Sequence, residues 1–146
     1  MNQKGVTLIE LIIVMVIIGI GATLIVPGIG AWLPTYRLKN ATRDIASAMR
    51  LAQIKAVSTN TTYRVSFDIG GGSFVIQYRD SSGNFVNDDG SGSLPPGVRI
   101  NRTTLSENVA EFFPNATATT GDVVLVNTKG TQKTIRLSLT GRVRIE

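Results

Sequence analysis

Arg142 and Arg144 stand two apart in "GRVRI" near the end of the sequence. In a strand that spacing sends both side chains from one face, with Val143 opposite. Two guanidiniums on one face can each fork onto phosphate oxygens, which is the chemistry of nucleic-acid backbone contact. The same spacing also suits an edge strand that carries charge to discourage sheet-to-sheet association. From Lys129 to Glu146 five cations (Lys129, Lys133, Arg136, Arg142, Arg144) face one acid. At the other end a lone carboxylate, Glu10, sits inside the apolar run "KGVTLIELIIVMVIIGIGATLIVPG", residues 4–28. A charge at mid-bilayer depth costs roughly 2.5–3.5 kcal/mol on insertion scales. Either Glu10 lies near an interface, or something offsets that cost.

Other reactive groups are few. Asp80, Asp88 and Asp89 surround a Gly/Ser/Asn-rich stretch. They offer the oxygen ligands that calcium takes, or they simply bend and cap the backbone. "DIGGGSF" is Gly-rich but runs into a strand pattern and lacks the Gly-Lys-Ser/Thr of a phosphate-binding loop, so it reads as a turn. The chain has no histidine and no cysteine. That removes imidazole acid–base chemistry, thiolate metal sites, cysteine nucleophiles and disulfides. No catalytic set, metal site or cofactor is expected, and an enzyme is not. The net charge of +5 is compatible with an anionic partner without requiring one.

The elements that position these groups follow from hydrophobic periodicity. The chain of 146 residues holds an apolar N-terminal segment and one domain of ordinary size. Between Val6 and Val26 only Thr7, Glu10 and Thr23 are polar, so a helix there is long enough to span a bilayer. It is too long for an ordinary secretory signal, and no A-x-A cleavage site follows it. A single-pass anchor is one reading. Gly19, Gly21 and Pro27 suit either a helix–helix contact or a stretch that loosens. Beyond Pro27, Leu38, Ala41, Ile45, Ala48, Met49, Ala52 and Ala56 form an apolar stripe that predicts an amphipathic helix packed on a sheet. Lys39, Arg43 and Arg50 gather on its other side, for solvent, anionic lipid headgroups or neighbouring subunits. Pro34 is accommodated as a kink or a restart of the helix, and Trp32 and Tyr36 sit where aromatic residues mark a membrane interface.

From residue 60 the period becomes two. "TYRVSFDI" and "SFVIQYRD" read as a hairpin split by "GGG". "FVN", "VRINR", "AEFF", "DVVLVNT", "KTIRLSL" and "RVRIE" supply further short strands, and "NDDGSGSLPPG" reads as a surface loop. The fold class is α+β, a long N-terminal helix followed by an antiparallel β-sheet domain.

"KGVTLIE" ahead of the apolar run resembles the leader signal of type IV prepilins and type II secretion pseudopilins. The resemblance implies cleavage by a prepilin peptidase between Gly5 and Val6, N-methylation of Val6, and an assembly role for Glu10. Val6 departs from the Phe or Met more usual there. Cleavage would free an α-amine at Val6, and pairing it with Glu10 would offset the desolvation of both charges. The helix, the β-rich second half and the terminal "TGRVRIE" are similar to the GspH/FimT minor pilins and pseudopilins. Some pilus members of that family bind DNA for uptake through a C-terminal G-R-x-R, which Gly141, Arg142, Val143 and Arg144 match.

The implied layout is a leader over 1–5, a transmembrane or filament-core helix over 6–27, an amphipathic linking helix over 28–58 and an exported β-rich domain over 59–146. The implied location is the bacterial inner membrane, single-pass with a cytoplasmic N-terminus, then a periplasmic or cell-surface filament. The implied partners are other pilin or pseudopilin subunits, the peptidase, the membrane and, in the DNA-uptake alternative, DNA. A type IV pilus and a type II secretion filament both remain open.

Overall fold

The computed structural model describes residues 5–146, and the side chains of residues 24–29 and 31 fall outside the described set. Helix α1 covers Leu8–Ser58, and Pro27 and Pro34 both lie within its bounds. The chain divides into two compact units, one through Leu33 and one from Pro34 to Glu146.

In the first unit the described apolar side chains project in every direction. Leu8, Ile9, Leu11 to Ile18 and Ile20 are all exposed, Leu8 at 77% and Ile18 at 64%. A helix that is apolar all round is one that something else must cover. Among the described residues no helix is long and apolar enough to cross a membrane. The span expected over 6–27 lies partly outside the described side chains, which stop at Thr23 and resume at Gly30.

In the second unit the apolar stripe is buried as the periodicity predicts. Leu38, Ala41, Ile45, Ala48, Met49, Ala52 and Ala56 are each at most 7% exposed, while Lys39, Arg43 and Arg50 face out.

Nine strands follow: β1 Tyr63–Asp68, β2 Ser73–Arg79, β3 Phe85–Asn87, β4 Gly92–Ser93, β5 Val98–Thr103, β6 Val109–Phe112, β7 Gly121–Asn127, β8 Gln132–Leu137 and β9 Val143–Ile145. A 3₁₀ turn, Ser106–Asn108, precedes β6. The strands form two antiparallel sheets rather than one. The first has the order β3-β2-β1-β6, with β4 also on β2; the second has β5-β7-β8-β9. Their inner faces and α1 share one core that includes Met49, Val65, Ile76, Phe112, Leu125 and Ile135.

Strand β4 lies inside the expected surface loop, where no apolar residue announces it. It pairs Gly92 with Phe74 and Ser93 with Ser73. At Gly92 an added Cβ would meet the Phe74 ring, so the glycine admits the close approach. Lys55 on α1 holds the same loop through an ion pair with Asp88 at 2.7 Å.

Candidate functional site

The N-terminal candidate residues sit at the start of α1. Thr7 caps it: the backbone N–H of Glu10 donates to Thr7 Oγ1 at 3.3 Å and to the Thr7 carbonyl at 3.1 Å. "TLIE" is therefore also a Thr-x-x-Glu helix-start signature, a sequence signal that the membrane pattern overshadowed. Glu10 lies in the first turn, where the helix dipole favours an acid. Gly5 has nothing within 4 Å of an added Cβ and does not take a positive φ, so the folded chain itself places no demand for glycine there. Gly19 and Gly21 are equally open.

The C-terminal candidate residues lie on the side of the second sheet that faces away from α1. Val143 points into the core, and Arg142 and Arg144 are exposed on the other side. Only Arg144 belongs to β9; Arg142 immediately precedes it. The spacing of two survives because Ser138 N–H donates to the Arg142 carbonyl at 3.1 Å, which continues the β8–β9 ladder by one residue.

Register places further arginines on that same outer face. Arg144 lies opposite Arg136, which lies opposite Asp122. Arg99 and Arg102 lie opposite Val126 and Val124, which are buried although they point away from α1. Long arginine stems suit such apolar neighbours. A bulge between Ile100 and Arg102 brings Arg102 to this face. Strict alternation would put Arg99 and Arg102 on opposite faces, so the sequence alone does not group them.

The outer face thus carries Arg99, Arg102, Arg136, Arg142 and Arg144 against Asp122 and Glu146. Both acids are engaged by one partner. Arg136 Nε donates to Asp122 Oδ1 at 3.2 Å and Arg136 Nη1 to Glu146 Oε1 at 2.9 Å. The hydrogen bond donated to Asp122 and then the charge of Glu146 hold the pKa of the Arg136 guanidinium above its ordinary value. Arg136 is thereby neutralised, whereas no ion pair among the described residues involves Arg142 or Arg144. With Ser138 and Thr140 these arginines line a shallow depression of ≈ 270 Å³. Hydroxyl and guanidinium donors around a depression can bind an anion.

Gly141 of the same motif is explained by the backbone. Its φ is +72°, and an added Cβ would collide with the Gln53 side-chain amide and come within 2.9 Å of the Ala116 carbonyl oxygen.

The acidic loop residues are occupied structurally. Asp80 Oδ1 accepts the N–H groups of Ser82 and Asn84 at 2.9 and 2.8 Å. Asp88 Oδ2 pairs with Lys55, and its Oδ1 accepts the Asp89 N–H. Among the described residues no group of three or more His, Cys, Asp or Glu converges in a way that could hold a metal ion.

The sequence matches two family descriptions: the prokaryotic N-terminal methylation motif over residues 1–26, and type II transport protein GspH over residues 41–141. No curated protein matches the chain by sequence. Among solved structures, the minor pseudopilin EpsH from the type 2 secretion system of Vibrio cholerae superposes with a TM-score of 0.66 at 12% identity, covering 75% of this chain and 96% of that one. The type IV minor pilin FimU of Pseudomonas aeruginosa gives 0.63 at 16% identity, covering 77% and 90%. GspH of E. coli in solution gives 0.64 at 12% identity, covering 80% and 93%. At such identities the superpositions speak to the fold alone.

Proposed function

The chain belongs to the family of the type II transport protein GspH, and from that premise we propose that it is a minor pilin or pseudopilin that works as a filament subunit rather than a catalyst. The match to the prokaryotic N-terminal methylation motif implies processing by a prepilin peptidase. In this reading the peptidase cuts between Gly5 and Val6, Val6 is N-methylated, and the mature subunit waits in the inner membrane with its N-terminus cytoplasmic and its β-rich unit exported. From there it joins a pseudopilus or a type IV pilus.

The observation that carries the proposal is the all-round exposure of the apolar side chains from Leu8 to Ile20. An isolated chain cannot keep that surface in water. Lipid covers it before assembly, and the corresponding helices of neighbouring subunits cover it afterwards. Open Gly19 and Gly21 permit close helix approach, and Glu10 is the polar group that such packing has to satisfy. The amine released at Val6 supplies the counter-charge. Glu10→Ala is therefore expected to insert and be cleaved normally but to drop out of filaments sheared from cells. Normal incorporation of that variant would contradict the pairing.

A second reading adds a ligand to the same subunit. Arg142 and Arg144, without an ion pair on a face whose two acids are both engaged by Arg136, favour contact with DNA phosphates. Binding of duplex DNA by residues 34–146 should weaken steeply with salt. It should weaken again in an Arg142→Gln, Arg144→Gln double variant. Absence of binding at low salt would retire this reading and leave the structural one intact.

A further inference from the structure

A separate cavity of ≈ 430 Å³ opens between α1 and the β8–β9 end of the second sheet. Three cations line it, Lys39 and Arg43 from successive turns of α1 and Lys133 from β8, and no acid does. Lys133 is the unusual member. It pairs across the ladder with Leu125, which is fully buried, so it belongs to the inner face of the sheet, the one that continues into Ile135 and Leu137. A half-buried lysine thus occupies a position where the pattern calls for a core side chain. No ion pair among the described residues involves Lys39, Arg43 or Lys133.

Converging like charges repel, and partial burial of one of them adds a desolvation cost. An anion in the cavity offsets both. Neutral donors are to hand as well. Thr42 Oγ1 is spent on the Leu38 carbonyl at 2.7 Å, leaving the hydroxyls of Thr35 and Thr131. Asn127 Nδ2, in the turn that supplies Thr131, is buried without an acceptor, but Asn127 does not line the cavity. Leu38 and Ile145 add an apolar lining.

We propose that this cavity binds a phosphate ester, and that its occupant is the headgroup of an anionic phospholipid. The choice of lipid rests on the membrane anchoring proposed above. In sequence, Lys39 comes three residues after Tyr36, about 4.5 Å along a helix. Tyr36 is an exposed aromatic residue of the kind that marks the headgroup level. Cations over an apolar floor also match a headgroup joined to glycerol and acyl chains better than they match a bare ion. The site lies on the opposite side of β9 from Arg142 and Arg144, because Ile145 lines it and Arg144 does not.

Residues 34–146 contain every member of the core cluster among the described residues, so this unit is expected to fold without the apolar segment and can be tested alone. It is expected to co-sediment with phosphatidylglycerol vesicles in preference to phosphatidylcholine vesicles. Removing one cavity cation, as Lys133→Gln, should weaken that partition about fivefold. The exposed pair Lys39→Gln, Arg43→Gln should weaken it further, and serves if thermal unfolding shows Lys133→Gln to be misfolded. Arg79→Gln removes the same charge from β2 and should change partition less than about twofold. Soluble sn-glycerol 3-phosphate should shift the NMR amide signals of Thr131 and Lys133.

Equal loss in the Arg79 and cavity variants would overturn the site in favour of diffuse attraction. Indifference to phosphatidylglycerol would overturn it outright. Polyglutamate competing as well as glycerol phosphate would assign the cavity to carboxylates of an adjoining subunit instead. A full-length chain that keeps its first five residues would overturn the processing reading while leaving these vesicle results standing.

Discussion

At Gly141 the chain takes φ +72° between the end of β8 and the start of β9, hard against Gln53 of α1 and the Ala116 carbonyl. Gly141→Ala should destabilise the domain by about 1–2 kcal/mol from the left-handed backbone alone, with the steric overlap adding to it. Thermal unfolding measures this, and Arg142→Gln or Arg144→Gln should leave the midpoint nearly unchanged. The glycine and the arginines of one short motif thus separate into a folding role and a surface role. A second residue-scale expectation concerns Lys55 and Asp88. The hydrogen bond from Lys55 is the main cause that holds Asp88 below its ordinary 3.8, and the reciprocal bond raises Lys55 above 10.5. The aspartate's contribution is therefore present above its ordinary value and lost as pH falls through its lowered one. The lysine's contribution persists below 10.5 and fades as pH rises through its raised value. Asp88→Asn should cost about 1 kcal/mol near neutral pH and nothing once the pH is well below the ordinary carboxylate range. Unfolding curves at both pH values test the sign. What the sequence hid at this scale was pairing: Arg136 and Arg144 look alike in "KTIRLSLTGRVRIE", and only register shows that Arg136 is held by Asp122 and Glu146.

Among the elements, α1 was the most legible, because a seven-residue apolar stripe at helical spacing has few other realisations. Each member of the stripe is buried. Ala52, with no exposed surface, leaves no room for growth, so Ala52→Leu should cost about 1–3 kcal/mol through overpacking, read from denaturant midpoints. The strands were legible singly, since alternation states which residues share a face. It does not state which sheet a strand joins, and the division into two sheets was therefore not readable. Nor was β4, whose pairing depends on the absence of a side chain at Gly92 beneath the Phe74 ring. "VVLV" in β7 breaks alternation because both faces of this inner strand are covered, Val123 and Leu125 by the core and Val124 and Val126 beneath the arginine face. The basic cavity escaped notice because Lys133, Lys39 and Arg43 meet only through the packing of α1 on the second sheet.

For the molecule as a whole, the sequence divides its labour by composition, and the two compact units follow the same division. One unit is an apolar helix that cannot remain exposed; the other holds a complete core. Deleting residues 1–33 should accordingly give a soluble monomer that unfolds in one cooperative transition, checked by size-exclusion chromatography and calorimetry. A domain that aggregates or melts without cooperativity would show that the N-terminal segment belongs to the core. Processing of that segment precedes assembly in the proposed function, and the intact mass of the protein extracted from membranes reports on it. The expected chain starts at Val6 and carries one added methyl group. A chain that still begins at Met1 and retains Gly5 would contradict it.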